Sequence, residues 1–196
     1  MESFDNINIL IVGVGGQGTL LASKFLGAVA VACGRDVKVS EVHGMSQRGG
    51  SVVTCVKIGQ KVYSPIIDLG EADIILSFEQ VEAVRWLPYL KKGGKIITGI
   101  QQINSMPVIL GKAVYPDNAI YALKKTGAEV ITVDALATAE ASGSQKAVNI
   151  VLTGVLASMV EGVDESIWME SLKSIVPPKF YEINEKAFKA GLALNN

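Results

Sequence analysis

Residues 6–41 read "NINILIVGVGGQGTLLASKFLGAVAVACGRDVKVSE", and their pattern decides the fold class. Asn8 to Val12 is an apolar β run. Gly13, Gly15 and Gly18 then match G-x-G-x-x-G, and Leu20, Leu21, Phe25, Ala28, Val29 and Ala32 recur at helical spacing. Gly34 stands where a helix C-cap belongs, and "DVKVSE" alternates apolar and polar as a second strand does. Strand, glycine turn, helix, glycine stop and strand make a βαβ unit. The expected roles are a tight reversal at Gly13, backbone approach to a ligand at Gly15 and close helix–strand packing at Gly18. Free amides at the helix start would face a phosphate or carboxylate placed there.

Further on, "KIGQKVYSP" reads as a hairpin turning at Gly59-Gln60, and "EADIILSF" as a fully buried strand. "EQVEAVRWLPYLKKGG" reads as a helix ended by its glycine pair, and "KIITGI" as the next strand. Gln101 to Pro116 fits no single element. "NAIYALKKTGA" is a short helix and "EVITVDA" another strand. From Ala135 the pattern turns helical, with Ser144 and Asp164 as caps and Pro177-Pro178 as a break. The expectation is one α/β domain over residues 1–196: a three-layer, Rossmann-like, mostly parallel sheet flanked by helices, with a β-hairpin excursion and a helical C-terminal third.

Composition narrows the function classes. Lys+Arg 18 against Asp+Glu 19 gives a net charge of −1, so no basic field points to nucleic acid or a membrane surface. A 49% hydrophobic content with mean hydropathy +0.35 favours a chain that hides surface in a partner, although a doubly covered sheet is also apolar. Two cysteines, Cys33 and Cys55, fall short of the about four ligands of a structural zinc site or iron–sulfur cluster and read as buried thiols in a reducing cytoplasm. "MESFDNINIL" lacks a signal-peptide layout, and the longest apolar run, broken by Lys24, is shorter than the roughly 20 residues of a membrane span.

Between the second and third strands, "VHGMSQRGGS" holds the chain's one histidine, an arginine and three glycines. Arg48 can grip a phosphate or carboxylate with two bonds, His43 can donate or accept near neutral pH, and Ser46 and Gln47 add neutral hydrogen bonds. Gly44, Gly49 and Gly50 widen the backbone's choices and expose amides at the C-terminal edge of the sheet. The competing reading pairs Arg48 with Glu41 or with a partner's carboxylate and leaves His43 closing a strand end. Glu41 also stands where a dinucleotide site wants its ribose-binding acid, so an NAD-dependent dehydrogenase or reductase is one reading and a nucleotide- or CoA-sensing module another. The candidate binding set is Gly13, Gly15, Gly16, Gln17 and Gly18 in the first loop, and His43, Gly44, Ser46, Gln47, Arg48, Gly49 and Gly50 in the second. No catalytic residue or metal ligand is expected in this chain.

Three stretches carry a resemblance: "GVGGQGTLLASKFLGAVAVACG", "VSEVHGMSQRGGSVVTCVKIG" and "VYSPIIDLGEADIILSFEQVEAVR", in that order and spacing. They resemble the gamma subunit or gamma domain of the 2-oxoacid:ferredoxin oxidoreductases, in the form of the small (beta) subunit of the indolepyruvate branch. Pyruvate and 2-oxoglutarate relatives tend to carry Gly-Pro-Glu ahead of the arginine, where this chain has "EVHGMSQRGG". The likeness continues more thinly in "NIVLTG" and "NEKAFKAG". It implies a cytoplasmic, heteromeric complex of anaerobic metabolism that decarboxylates a 2-oxoacid oxidatively to an acyl-CoA and reduces ferredoxin. Thiamine diphosphate, magnesium and the iron–sulfur clusters are then expected on a large partner subunit, because this chain has neither a Gly-Asp-Gly thiamine motif nor cysteine clusters. CoA is the candidate ligand here, and the chain alone is expected to be inactive.

Weaker candidates remain. Glu79 and Glu82, at a helix start, read as dipole partners with Arg85 in reach. Met45 and Trp86 are candidate interface anchors, Trp86 more naturally core. Asn149 in an apolar helix needs a partner, and one of the glycine loops is a candidate.

Overall fold

The computed structural model describes residues 2–43 and 49–194, with only the backbone of His43. In chain order the elements are β1 (Glu2–Ser3), β2 (Ile7–Val14), α1 (Thr19–Ala32), β3 (Asp36–His43), β4 (Ser51–Gly59), β5 (Ala72–Ser77), α2 (Gln80–Trp86) and β6 (Leu90–Gly99). They continue with α3 (Met106–Ile109), α4 (Ala119–Lys125), β7 (Glu129–Val133), α5 (Ala135–Ala141), α6 (Val148–Ala157), β8 (Val160–Glu161), α7 (Glu165–Ile175) and α8 (Tyr181–Ala193).

The main sheet has the order β3-β4-β2-β5-β6-β7, with β2, β5, β6 and β7 parallel and β4 antiparallel to both of its neighbours. Strand β2 shows why the arrangement has three layers. Ile7, Ile9 and Ile11 join the core under α1, α5, α6, α7 and α8, while Leu10 and Val12 join a smaller core under α2 and α4. A period of two thus sends alternate side chains into two apolar layers.

The βαβ start is present, with β3 parallel to β2 after the α1 crossover and β4 inserted between them. Two expectations need correction. "KIGQKVYSP" does not form the hairpin turning at Gly59-Gln60. Its first residues end β4, whose two edges are already taken by β2 and β3, so no edge is left for a returning strand. The Val62 N–H bonds the Asp36 carboxylate instead, at 3.0 Å. The hairpin of this fold is the antiparallel pair β3–β4. Finally, the helix from Gln80 does not run to the glycine pair: α2 stops at Trp86, Pro88 sits in a single 3-10 turn, and Gly93-Gly94 lie inside β6. At Gly94 a Cβ would come within 2.9 Å of the Asp73 carbonyl oxygen.

The helical third covers one face. α6 is buried all round, and α8 crosses it where Gly154 meets Gly191. Phe4, Phe25, Trp168 and Phe188 interlock beside them, with ring centroids 5.4–5.6 Å apart. A two-residue parallel pairing of β1 with β8 ties the N-terminal strand to this layer. Ser144 accepts from the Lys146 N–H and caps a 3-10 turn, Gln145–Ala147, that precedes α6 rather than α6 itself, and Asp164 holds the N-cap position of α7 without a side-chain bond.

Cys33 and Cys55 are free and half-buried rather than fully buried. They lie on opposite faces of the sheet, Cys33 against the larger core and Cys55 against the smaller, and burial pushes both thiols up.

Candidate functional site

The parallel strands deliver their ends to one edge, and β3 ends and β4 begins there too, because Val14 faces Ser51 and His43 faces Val52. The glycine turn therefore meets the arm Gly49–Ser51, the end of β5 and the segment after β6 in one place. The Gly15 N–H donates to the Gly50 carbonyl at 2.9 Å, and the Phe78 N–H to the Val12 carbonyl at 2.9 Å.

The reversal itself falls at Gly16 (φ 100°) and Gly18 (φ 85°), both left-handed, while Gly13 is still strand. Gln17 locks the turn from within. Its Oε1 accepts from the Val14 N–H at 2.7 Å and its Nε2 donates to the Phe78 carbonyl at 2.9 Å. Gly13 is required beside it, since a Cβ there would lie 2.8 Å from Gln17 Oε1 and 3.2 Å from Phe78 Cβ. The amide of Gln17 is thus occupied inside the protein. Gly15, Gly16 and Gly18 line the crevice with backbone alone.

Behind the turn stands Asn149, 3% exposed on α6, whose Nδ2 donates to the Gly18 carbonyl at 3.1 Å. Any Cβ at Gly18 would meet that Nδ2 at 2.6 Å. The buried amide singled out from the sequence does tie its helix to the glycine loop.

Gly18 occupies the N-cap position of α1 and no side chain caps the helix, so the Thr19 and Leu20 amides have no intrahelical acceptor, while those of Leu21 and Ala22 bond the Gly18 carbonyl. Two crevices flank the turn. One, about 380 Å³, runs past Thr19 and Leu20 to Glu41, whose Oε2 accepts from the Thr19 and Thr54 hydroxyls at 3.3 and 3.2 Å. The other, about 400 Å³, lies toward Gln101, Gln145 and Lys146. The helix dipole and amides favour an anion at the turn, the Glu41 carboxylate discourages one on its own side, and Lys146 favours one on the other.

Glu79 does more than face a helix dipole. It is 1% exposed, and its Oε2 caps α2 by accepting from the Val81 and Glu82 N–H groups at 2.8 and 3.1 Å. Its Oε1 takes the Ile103 N–H at 3.4 Å and the Tyr115 hydroxyl, so residues 103 and 115 of the stretch that resisted reading are anchored to this one carboxylate. Burial, then the neighbouring Glu79, pushes the Tyr115 phenol up. Glu82 pairs with Arg85, as its spacing predicts, and also accepts from the Ser51 hydroxyl. Trp86 is partly buried against the smaller core, its ring tilted against that of Tyr89 with centroids 5.0 Å apart.

Of the second loop, Gly49 and Gly50 are described. Gly44, Ser46, Gln47 and Arg48, together with Met45 and the His43 side chain, lie outside the described residues. Sequence reasoning missed the inward role of Gln17, the anchoring role of Glu79 and the reach of Glu82 to Ser51. An acid directly before a helix start was the available signal for Glu79. Gln17 gave none, because its partner Phe78 is 61 residues away.

Among the described residues no cluster of His, Cys, Asp and Glu forms a metal site, and no helix is long and apolar enough to cross a membrane.

Comparison with known proteins adds an independent observation. The family model described as pyruvate ferredoxin/flavodoxin oxidoreductase matches residues 8–194. The indolepyruvate oxidoreductase subunit IorB of Thermococcus kodakarensis is 42% identical, with 94% of each chain covered. The subunit of the same name from Pyrococcus horikoshii is 41% identical over the same shares. The crystal structure of the gamma subunit of a keto/oxoacid ferredoxin oxidoreductase from Geobacter sulfurreducens superposes with a TM-score of 0.71 at 23% identity, covering 95% of this chain and 96% of that one, which shows a shared fold.

Proposed function

The chain belongs to the pyruvate ferredoxin/flavodoxin oxidoreductase family, as a small-subunit member, and we propose that it serves an indolepyruvate:ferredoxin oxidoreductase. The observation that carries this reading is end-to-end similarity, 42% and 41%, to two subunits of that name, together with the "EVHGMSQRGG" form of the second loop. In the proposed reaction a 2-oxoacid loses CO2, its acyl group passes to CoA and the electron pair passes to ferredoxin. A large partner subunit supplies thiamine diphosphate, magnesium and iron–sulfur clusters, in a cytoplasmic complex.

The contribution proposed for this chain is to hold an anionic group at the glycine turn. The turn fits such a group: Gly16 and Gly18 bring backbone within reach without side chains, α1 is uncapped, and Lys146 flanks one crevice. CoA, when bound, supplies the thiol that takes up the acyl group, and its phosphates are the anions proposed for the turn. Gln17 and Asn149 keep the turn's amides aimed.

Mixing the purified chain with its large subunit should produce CoA-dependent, indolepyruvate-dependent ferredoxin reduction, with none from the chain alone. Indolepyruvate turnover by the single chain would refute the subunit reading. Hydride transfer to NAD by the single chain would establish the dehydrogenase reading, which has Glu41 beside the turn in its favour. In the complex, Arg48→Ala should raise the apparent constant for CoA or substrate about ten- to hundredfold, the worth of a charge-assisted hydrogen bond, while leaving assembly intact. An intact complex with unchanged constants would remove Arg48 from the site.

A further inference from the structure

Two carboxylates of the α2 start are almost out of water, Glu79 at 1% and Glu82 at 5% exposure. Burying a carboxylate is costly unless its oxygens are used, and an ion pair on a helix surface needs no such burial. Glu79 spends its oxygens on the α2 cap, the Ile103 N–H and Tyr115. Glu82 is divided differently. Its Oε1 meets Arg85 Nε at 3.1 Å, with the arginine side chain 56% exposed, while its Oε2 points inward to the Ser51 hydroxyl. Ser51 is the first residue of β4 and sits opposite Val14. One residue before it, the Gly50 carbonyl receives the Gly15 N–H at 2.9 Å. A continuous path therefore runs from the buried charge on α2 through Ser51 and Gly50 to the glycine turn.

We propose that Glu82 is a positioning residue for the anion site: through Ser51 it holds the Gly50 carbonyl against Gly15, and so sets how the amides of the glycine turn present themselves. Apolar packing leaves a strand start free to shift by tenths of an ångström, whereas a hydrogen bond to a carboxylate has a preferred direction. Arg85 pairs with the Glu82 carboxylate from the solvent side. The proposal rests on the reading of the turn as the CoA-phosphate site.

Ser51→Ala, Glu82→Ala and the double variant test it, with Ser51→Thr as the conservative rescue. In the isolated chain, Gly15 amide exchange followed by NMR should speed up about tenfold or more in each single variant while β2 amides such as Leu10 keep their protection. In the assembled complex, the apparent KM for CoA should rise about fivefold or more, and kcat should fall by less. The double variant should be no worse than the worse single, because both act on one path. Ser51→Thr should stay near the wild type. Unchanged Gly15 exchange in Ser51→Ala, additive effects in the double variant, or faster Gly15 exchange with an unchanged KM for CoA would each overturn the proposal. A wild-type complex inactive on indolepyruvate would instead sink the functional reading, and Gly15 exchange would still decide the role of Glu82.

Discussion

The helical face of the sheet and the edge that carries the glycine turn are held by different means. Against one face, α6 is buried all round and meets α8 so closely that a Cβ at Gly154 would lie 2.4 Å from the Phe188 carbonyl oxygen, and one at Gly191 2.2 Å from that of Val151. Cohesion there is apolar and steric. At the edge, position is set by single polar side chains: Gln17 between Val14 and Phe78, Asn149 on Gly18, Glu79 on Ile103 and Tyr115, and Glu82 on Ser51. Apolar burial is large in free energy and indifferent to direction. A hydrogen bond is modest in net free energy but directional, and costly to leave half made. The fold is thus stabilised mainly in one region and aimed in the other.

The sharpest way to break that contrast is Gly191→Val. Backbone atoms cannot yield as a flexible side chain can, so the variant should lose about 3 kcal/mol or more, or fail to fold, in urea denaturation. A loss below about 1 kcal/mol would show that the two helices slide apart cheaply and that the steric account is wrong.

Gln17→Ala should come next, at about 2 kcal/mol, because it strands the Val14 N–H and the Phe78 carbonyl together. NMR shifts should move at Gly15 and Gly16 more than in α8. A wild-type melting temperature would return Gln17 to the ligand-facing set.

Asn149→Ala should cost less, about 1 kcal/mol, since the Gly18 carbonyl keeps the Leu21 and Ala22 N–H groups as donors. Its clearer signature would be a weaker hold on CoA in the complex, and equal losses of stability and affinity would blur the division between the two regions.

The smallest effect is expected far from both, at Asp36. Its bonds to Lys38 and to the Val62 N–H lower its carboxyl to about 2 in the folded chain. A depressed carboxylate contributes stability above its unfolded value of about 3.8, and that contribution disappears as pH falls through about 2. The difference between wild type and Asp36→Asn should therefore be present at pH 5 to 7, narrow below pH 4 and vanish near pH 2 in acid titrations followed by circular dichroism. A constant difference across that window would mean that Asp36 acts through packing instead.

The strand β2, the glycine turn, α1 and the buried run of β5 were legible because each depends on residues near one another: alternation of apolar side chains, glycines where φ must be positive, and helical spacing. The same local evidence located the glycine turn of the candidate site. It misplaced the hairpin because "KIGQKVYSP" has hairpin chemistry, and only the sheet shows that β4 is interior with no free edge. It ended a helix at Gly93-Gly94 where Pro88 had already stopped it.

What the sequence by itself determined is the βαβ start, the three-layer class and the glycine turn, all of them properties of backbone conformation and periodicity over about a dozen residues. Tertiary structure alone decided that β4 lies between β3 and β2, that Gln17 turns inward, that Asn149 reaches Gly18 across 131 positions and that Glu82 holds Ser51 across 31. The reason is physical: a polar side chain announces that it needs a partner, but which partner it finds is settled when packing of the two apolar layers brings distant segments within hydrogen-bond reach.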